Sequence, residues 1–157
     1  MKKLIPILIF ILAFEIIPIF AQNFDKLKKL LDATSIPYIA DDKKQLCAIQ
    51  LDDLKESDTK TIFVRLDGAN KDFIIARITI IDGKNGTDFP PELYKECLEF
   101  NQRTGLIKTQ YDSQYGDIDL TYETWLSTSP DDFTRGLRYL VDDADALAKK
   151  LKPLMRK

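Results

Sequence analysis

The 157 residues carry 23 basic and 25 acidic side chains, a net charge of −2, and no histidine at all. A mildly acidic chain without a basic block does not attract nucleic acid over its surface. Without imidazole there is no Ser-His-Asp or Cys-His nucleophile activation, no His-ligated zinc, and no usual general base near neutral pH.

The first segment, "MKKLIPILIFILAFEIIPIFAQ", reads as an export signal. Lys2 and Lys3 form a positive start, Leu4 to Phe14 an apolar run of suitable length, and Ala21 a small residue at the cut. The competing reading is a retained membrane anchor. A spanning helix needs about 20 consecutive apolar residues, whereas Glu15 interrupts this run and Pro6 and Pro18 disfavour a continuous helix. Cleavage after Ala21 is therefore expected, giving a signal peptide at 1–21 and one domain at 22–157. Losing Lys2, Lys3 and Glu15 leaves 21 basic and 24 acidic side chains, a net −3. The domain is expected to be exported, periplasmic or secreted, with no stable membrane insertion after processing. About 136 residues suffice to bury a core without covalent staples.

Phe24, Leu27, Leu30 and Leu31 recur at helical spacing with lysines between them, which predicts a short amphipathic helix over 24–34. Ser35-Ile36-Pro37 ends it, because the residue before proline avoids the α region. Three extended segments follow: "QLCAIQL" at 45–51, "TKTIFVRL" at 59–66 and "FIIARITII" at 73–81. The last two flank "DGANKD", a hairpin connection by composition, and the third is apolar enough on both faces to be a central strand. The loop "DGKNGTDFPP" at 82–91 only superficially resembles a calcium loop. Lys84, Gly86 and Thr87 stand where an EF-hand needs acids and a glycine, so a turn is expected.

Pro90 and Pro91 open a second helix carrying Leu93, Cys97 and Phe100, with Gly105 suited to a left-handed cap at its end. Then comes "KTQYDSQYGDIDLTYETWL" at 108–126. Ile118, Leu120 and Tyr122 alternate with Asp119, Thr121 and Glu123, and Gly116 can supply the positive φ of a bulged loop. A β-hairpin with one apolar and one polar face is therefore expected, not a metal site. Asp119 and Glu123 lie about 13 Å apart along a strand, too far to chelate one ion unaided. Tyr111 and Tyr122 are expected in the core, while Tyr115 and Trp125 are candidate binding residues. Finally, Ser129 is a plausible N-cap for a long helix opened by Pro130, whose stripe runs from Phe133 through Leu137, Leu140 and Ala144 to Leu151. The order is α-β-β-β-α-β-β-α, an α+β domain.

Cys47 and Cys97 are an even pair, compatible with one disulfide in an exported chain. Both also lie on apolar stripes, where free cysteine acts as a small hydrophobe. No phosphate-cradling glycine loop and no four-thiolate zinc set is present, so no cofactor, metal or catalytic residue is expected.

The run "PPELYKECLEFNQRTGLIKTQYDSQYGDIDLTYETWL", followed by a long amphipathic helix, resembles the YbjN-like domain, similar in fold to type III secretion chaperones of the Tir-chaperone (CesT) type. The strongest local echoes are "LEFNQ" and "DIDLTYE", and the resemblance spans roughly 24–151. It implies an antiparallel sheet with helices mainly on one face, homodimers, and non-enzymatic holding of extended client segments. Those chaperones act in the cytoplasm, whereas this chain begins with an export signal. The expected function is an exported, non-catalytic module for a protein or peptide partner. Two alternatives stay open. One is a small-molecule or lipid carrier with a pocket near Phe133 and Leu137. The other is a hydrolase built on Asp112, Asp117, Asp119 and Glu123.

Overall fold

A computed structural model describes residues 21–83 and 88–156. The signal segment at 1–20 lies outside the described residues, as do positions 84–87 of the turn expected at 82–91.

Helix α1 occupies 21–34 and buries Phe24, Leu27, Leu30 and Leu31. It stops as expected before Pro37, with Ser35 turned to a φ of 59°. Strands β1 (Ile39–Asp41), β2 (Leu46–Gln50), β3 (Thr61–Asp67) and β4 (Phe73–Ile81) follow. Helix α2 (Pro91–Arg103), strands β5 (Ile107–Asp112) and β6 (Asp117–Trp125), and helix α3 (Pro130–Leu151) complete the order, ending in a 3-10 turn at Lys152–Arg156. All six strands form one antiparallel sheet in the order β1-β2-β3-β4-β6-β5. The expected α+β order holds, with the three-residue β1 added at one edge. Tyr38-Ile39-Ala40-Asp41 is too short to show a period.

The two faces of the sheet differ because the strands alternate. Ile62, Val64 and Leu66 of β3, Ile74, Ala76 and Ile78 of β4, and Ile118, Leu120 and Tyr122 of β6 are buried. Their register pairs them face to face: Ile78 with Leu120, Ala76 with Tyr122. Helix α3 lies across β4, β6 and β5, and α2 covers β5. A bulge between Thr79 and Ile81 lets both Ile80 and Ile81 point into the core.

The start of α3 is capped as the sequence predicts: Ser129 Oγ accepts from Asp132 N at 3.1 Å, and Pro130 holds the first helical position. The end of α2 is not. Thr104 is extended at φ −105°, and its hydroxyl bridges the carbonyls of Phe100 and Ile107. That side chain satisfies the helix end, so no left-handed glycine is required there. Gly116 does take positive φ, at 75°, and closes the β5–β6 turn with its N–H on the Asp112 carbonyl at 2.7 Å.

Candidate functional site

The acidic hairpin was the sequence's strongest chemical signal. Three of its four carboxylates are engaged by the fold. Asp112 Oδ1 accepts Gln114 N at 3.0 Å inside the turn, and Asp117 Oδ1 accepts Gly83 N at 3.3 Å. Asp119 is 2 % exposed; Thr79 Oγ1 donates to its Oδ1 at 2.6 Å, and Arg77 Nη1 stands 3.3 Å from Oδ2. Arg77 also reaches Asp112 at 3.4 Å, so one guanidinium ties two carboxylates together. Burial pushes the Asp119 carboxyl above its ordinary value, while Thr79 and Arg77 oppose the rise. Glu123 is solvent-exposed beside Gln110. Among the described residues, no group of three or more Cys, Asp or Glu side chains is arranged to hold a metal ion.

Nothing in the sequence singles out Asp145. Its carboxylate accepts the backbone N–H groups of Lys55, Glu56 and Ser57 at 3.0, 2.9 and 3.2 Å, pinning the β2–β3 connection to α3. Partial burial works against ionisation, but these bonds outweigh it and lower the carboxyl's pKa.

Cys47 on β2 and Cys97 on α2 are free and buried. Helix α2 packs on β5, four strand spacings from β2, or roughly 19 Å across the sheet. A disulfide needs Cα atoms within about 7 Å. Burial raises both thiols to about 11, which keeps them protonated and unreactive.

The core is closed at Phe133 but opens further along α3. Phe133 is fully buried against Tyr122, with ring centroids 6.0 Å apart. The cleft nearest the expected carrier pocket, about 260 Å³, lies among Ile36, Ile49, Ile62, Leu137 and Val141 and does not include Phe133. Tyr122 is core as expected. Tyr111 is not: it stands half-exposed on edge strand β5, packed edge-on against Phe89 and Tyr94. Its strand has a neighbour on one side only.

The helix-free face keeps part of its apolar surface in water. Ile39 is 67 % exposed and Phe63 38 %. Register places Ile39, Ala48, Phe63 and Arg77 in one row across β1–β4, and Leu46, Arg65 and Ile75 in the next. Leu46, Phe63, Arg65, Ile75 and Arg77 line a shallow depression of about 280 Å³. Phe73 and Trp125 pair across β4 and β6 on the same face, edge to face at 5.1 Å. Trp125 and Tyr115 are both exposed, as a binding role needs, but they sit at opposite ends of β6. That separation is about 27 Å at ~3.3 Å per residue.

No protein-family model and no curated protein matches the chain. Solved structures do. YbjN from E. coli is 12% identical with a TM-score of 0.59, the match covering 82% of this chain and 89% of that one. The Yersinia pestis type III secretion chaperone SycH, in complex with a fragment of YscM2, is 18% identical with a TM-score of 0.55, covering 80% and 98%. The chaperone in the HopA1-SchA chaperone-effector complex is 18% identical with a TM-score of 0.59, covering 82% and 96%. This chain therefore shares the fold expected from the "LEFNQ" and "DIDLTYE" segments.

Proposed function

We propose that the chain is an exported, non-catalytic binding module that holds a protein or peptide partner on the helix-free face of its sheet. The observation that carries this reading is the apolar field of exposed Ile39 and Phe63 with half-buried Leu46 and Ile75, on a sheet whose other face is covered by helices. A flat, rigid surface of this kind grips an extended chain without ordering itself first. SycH and SchA are each described in complex with another polypeptide, which supports the same reading. The lack of histidine and the engagement of Asp112, Asp117 and Asp119 in the fold support a molecule that holds and does not transform.

Tyr115 and Trp125 are proposed contacts at the two ends of the run; about eight residues of extended chain span the distance. Export rests on the N-terminal segment. Capture from a periplasmic or culture-supernatant extract is expected to recover a polypeptide with the wild-type domain and to lose it with Phe63→Asp. Failure of the wild type to retain any polypeptide contradicts the reading.

Self-association is proposed at the other end of the sheet. There Leu98 and Leu106 are exposed beside the unpaired edge of β5. Light scattering is expected to report twice the monomer mass, reverting to one copy in Leu98→Glu; a wild-type monomer at high concentration refutes this.

A further inference from the structure

A cleft of about 530 Å³ opens where β4 begins and β6 ends. One wall is Trp125, the last residue of β6 and the only tryptophan of the chain. The others are mostly polar: Gln22, Asn23 and Lys26 of α1, Asn70 and Asp72 from the turn joining β3 to β4, and Ser127, with Leu126 the one aliphatic side chain. The indole is 60 % exposed yet held in place by the Phe73 ring at its edge. Asn23 is buried and bonded through both its amide nitrogen and its amide oxygen. Its Nδ2 donates to the Asn70 carbonyl at 2.9 Å, and its Oδ1 accepts from Lys26 Nζ at 3.1 Å. It thus ties helix to turn and fixes two walls of the cleft. The side chains of Gln22, Asn70 and Asp72 and the indole N–H have no hydrogen-bond partner among the described residues.

We infer that this cleft binds a neutral saccharide. A sugar ring presents a C–H face that lies on an aromatic platform, and a rim of hydroxyls that both donate and accept. A rigid indole ringed by two carboxamides, a carboxylate and an ammonium group supplies those partners. Competing ligand classes fit less well. Lys26 and Asp72 cancel in charge, so a nucleotide's phosphates would meet no net positive charge. β4 and β6 are interior strands paired on both sides, so no backbone edge is free there to zip onto a peptide. An apolar ligand would bury the amides unsatisfied. The volume falls within the range of about 300–1,000 Å³ usual for small-molecule sites. This site goes beyond the polypeptide-binding reading and shares only Trp125 with it.

Because Trp125 is the only tryptophan, its emission reports binding at this cleft when the purified chain is titrated with sugar and no polypeptide is present. Titration of the full chain with maltotriose, cellotriose and triacetylchitotriose is expected to give, for at least one of them, a saturable intensity change with a shift to shorter wavelength. Asn70→Ala and Asp72→Ala lie outside the core and are each expected to weaken that sugar about tenfold, the loss of one polar contact. Trp125→Ala, followed by calorimetry, is expected to abolish binding while its circular dichroism stays that of the wild type. No saturable response to any of the three sugars overturns the inference. So does a response that survives both Asn70→Ala and Asp72→Ala.

Discussion

Asp119 and Asp145 are carboxylates whose surroundings push their pKa values in opposite directions, and they make opposite predictions. Asp145 is depressed by three backbone donors, so its contribution to stability is present above the unfolded carboxyl value and is lost as pH falls through the folded one. Asp145→Ala is expected to cost about 1–3 kcal/mol at neutral pH and to flatten the acid limb of urea-unfolding stability against pH. Asp119 is raised by burial, so its contribution is present below the unfolded value and is lost as pH rises through the folded one. Asp119→Asn keeps an acceptor for Thr79 and removes a buried charge, so at neutral pH it is expected to equal or exceed the wild type. Asp119→Ala leaves Thr79 and Arg77 without that acceptor and is expected to cost about 1–3 kcal/mol. A wild-type-like Ala variant and a crippled Asn variant would reverse the assignment. Neither role was legible beforehand. Period-two alternation set Asp119 on the polar side of β6, but only the folded sheet shows that face closed over it at Thr79. Asp145 depends on a loop some ninety positions away in sequence.

At the level of elements, α3 is the most legible because its signals agree: a serine cap, a proline start, acids in the first turn and a long apolar stripe. Leu140 is fully buried, and Leu140→Ala is expected to cost about 2–5 kcal/mol in chemical unfolding; a change within error would mean that the stripe does not dock. Gly136 sits mid-helix, where propensity argues against it, because a Cβ there would overlap the Tyr122 ring. Gly136→Ala is expected to destabilise by about 1–3 kcal/mol despite its better helix propensity. Recovery of stability in Gly136→Ala/Tyr122→Leu would confirm the overlap as the cause. Sequence patterning failed where a side chain substituted for a backbone device, as at Thr104. It failed also for β1, which is held by pairing with β2 and not by any pattern of its own.

The whole molecule is a sheet with one side covered by three helices and the other left partly apolar. That asymmetry was foreshadowed by the Phe63, Arg65 and Ile75 positions, though alternation cannot say whether an outward apolar residue meets solvent, a loop or a partner. No helix among the described residues is long and apolar enough to cross a membrane. If the open face is the working surface, substitutions there should spare the fold and remove the partner. The most direct test is the affinity of the captured polypeptide for wild-type domain and for Phe63→Asp/Ile75→Asp, with unfolding curves run alongside. Binding weakened by at least about tenfold, with the unfolding midpoint retained, is the predicted result. Undiminished binding to the double variant would contradict the account.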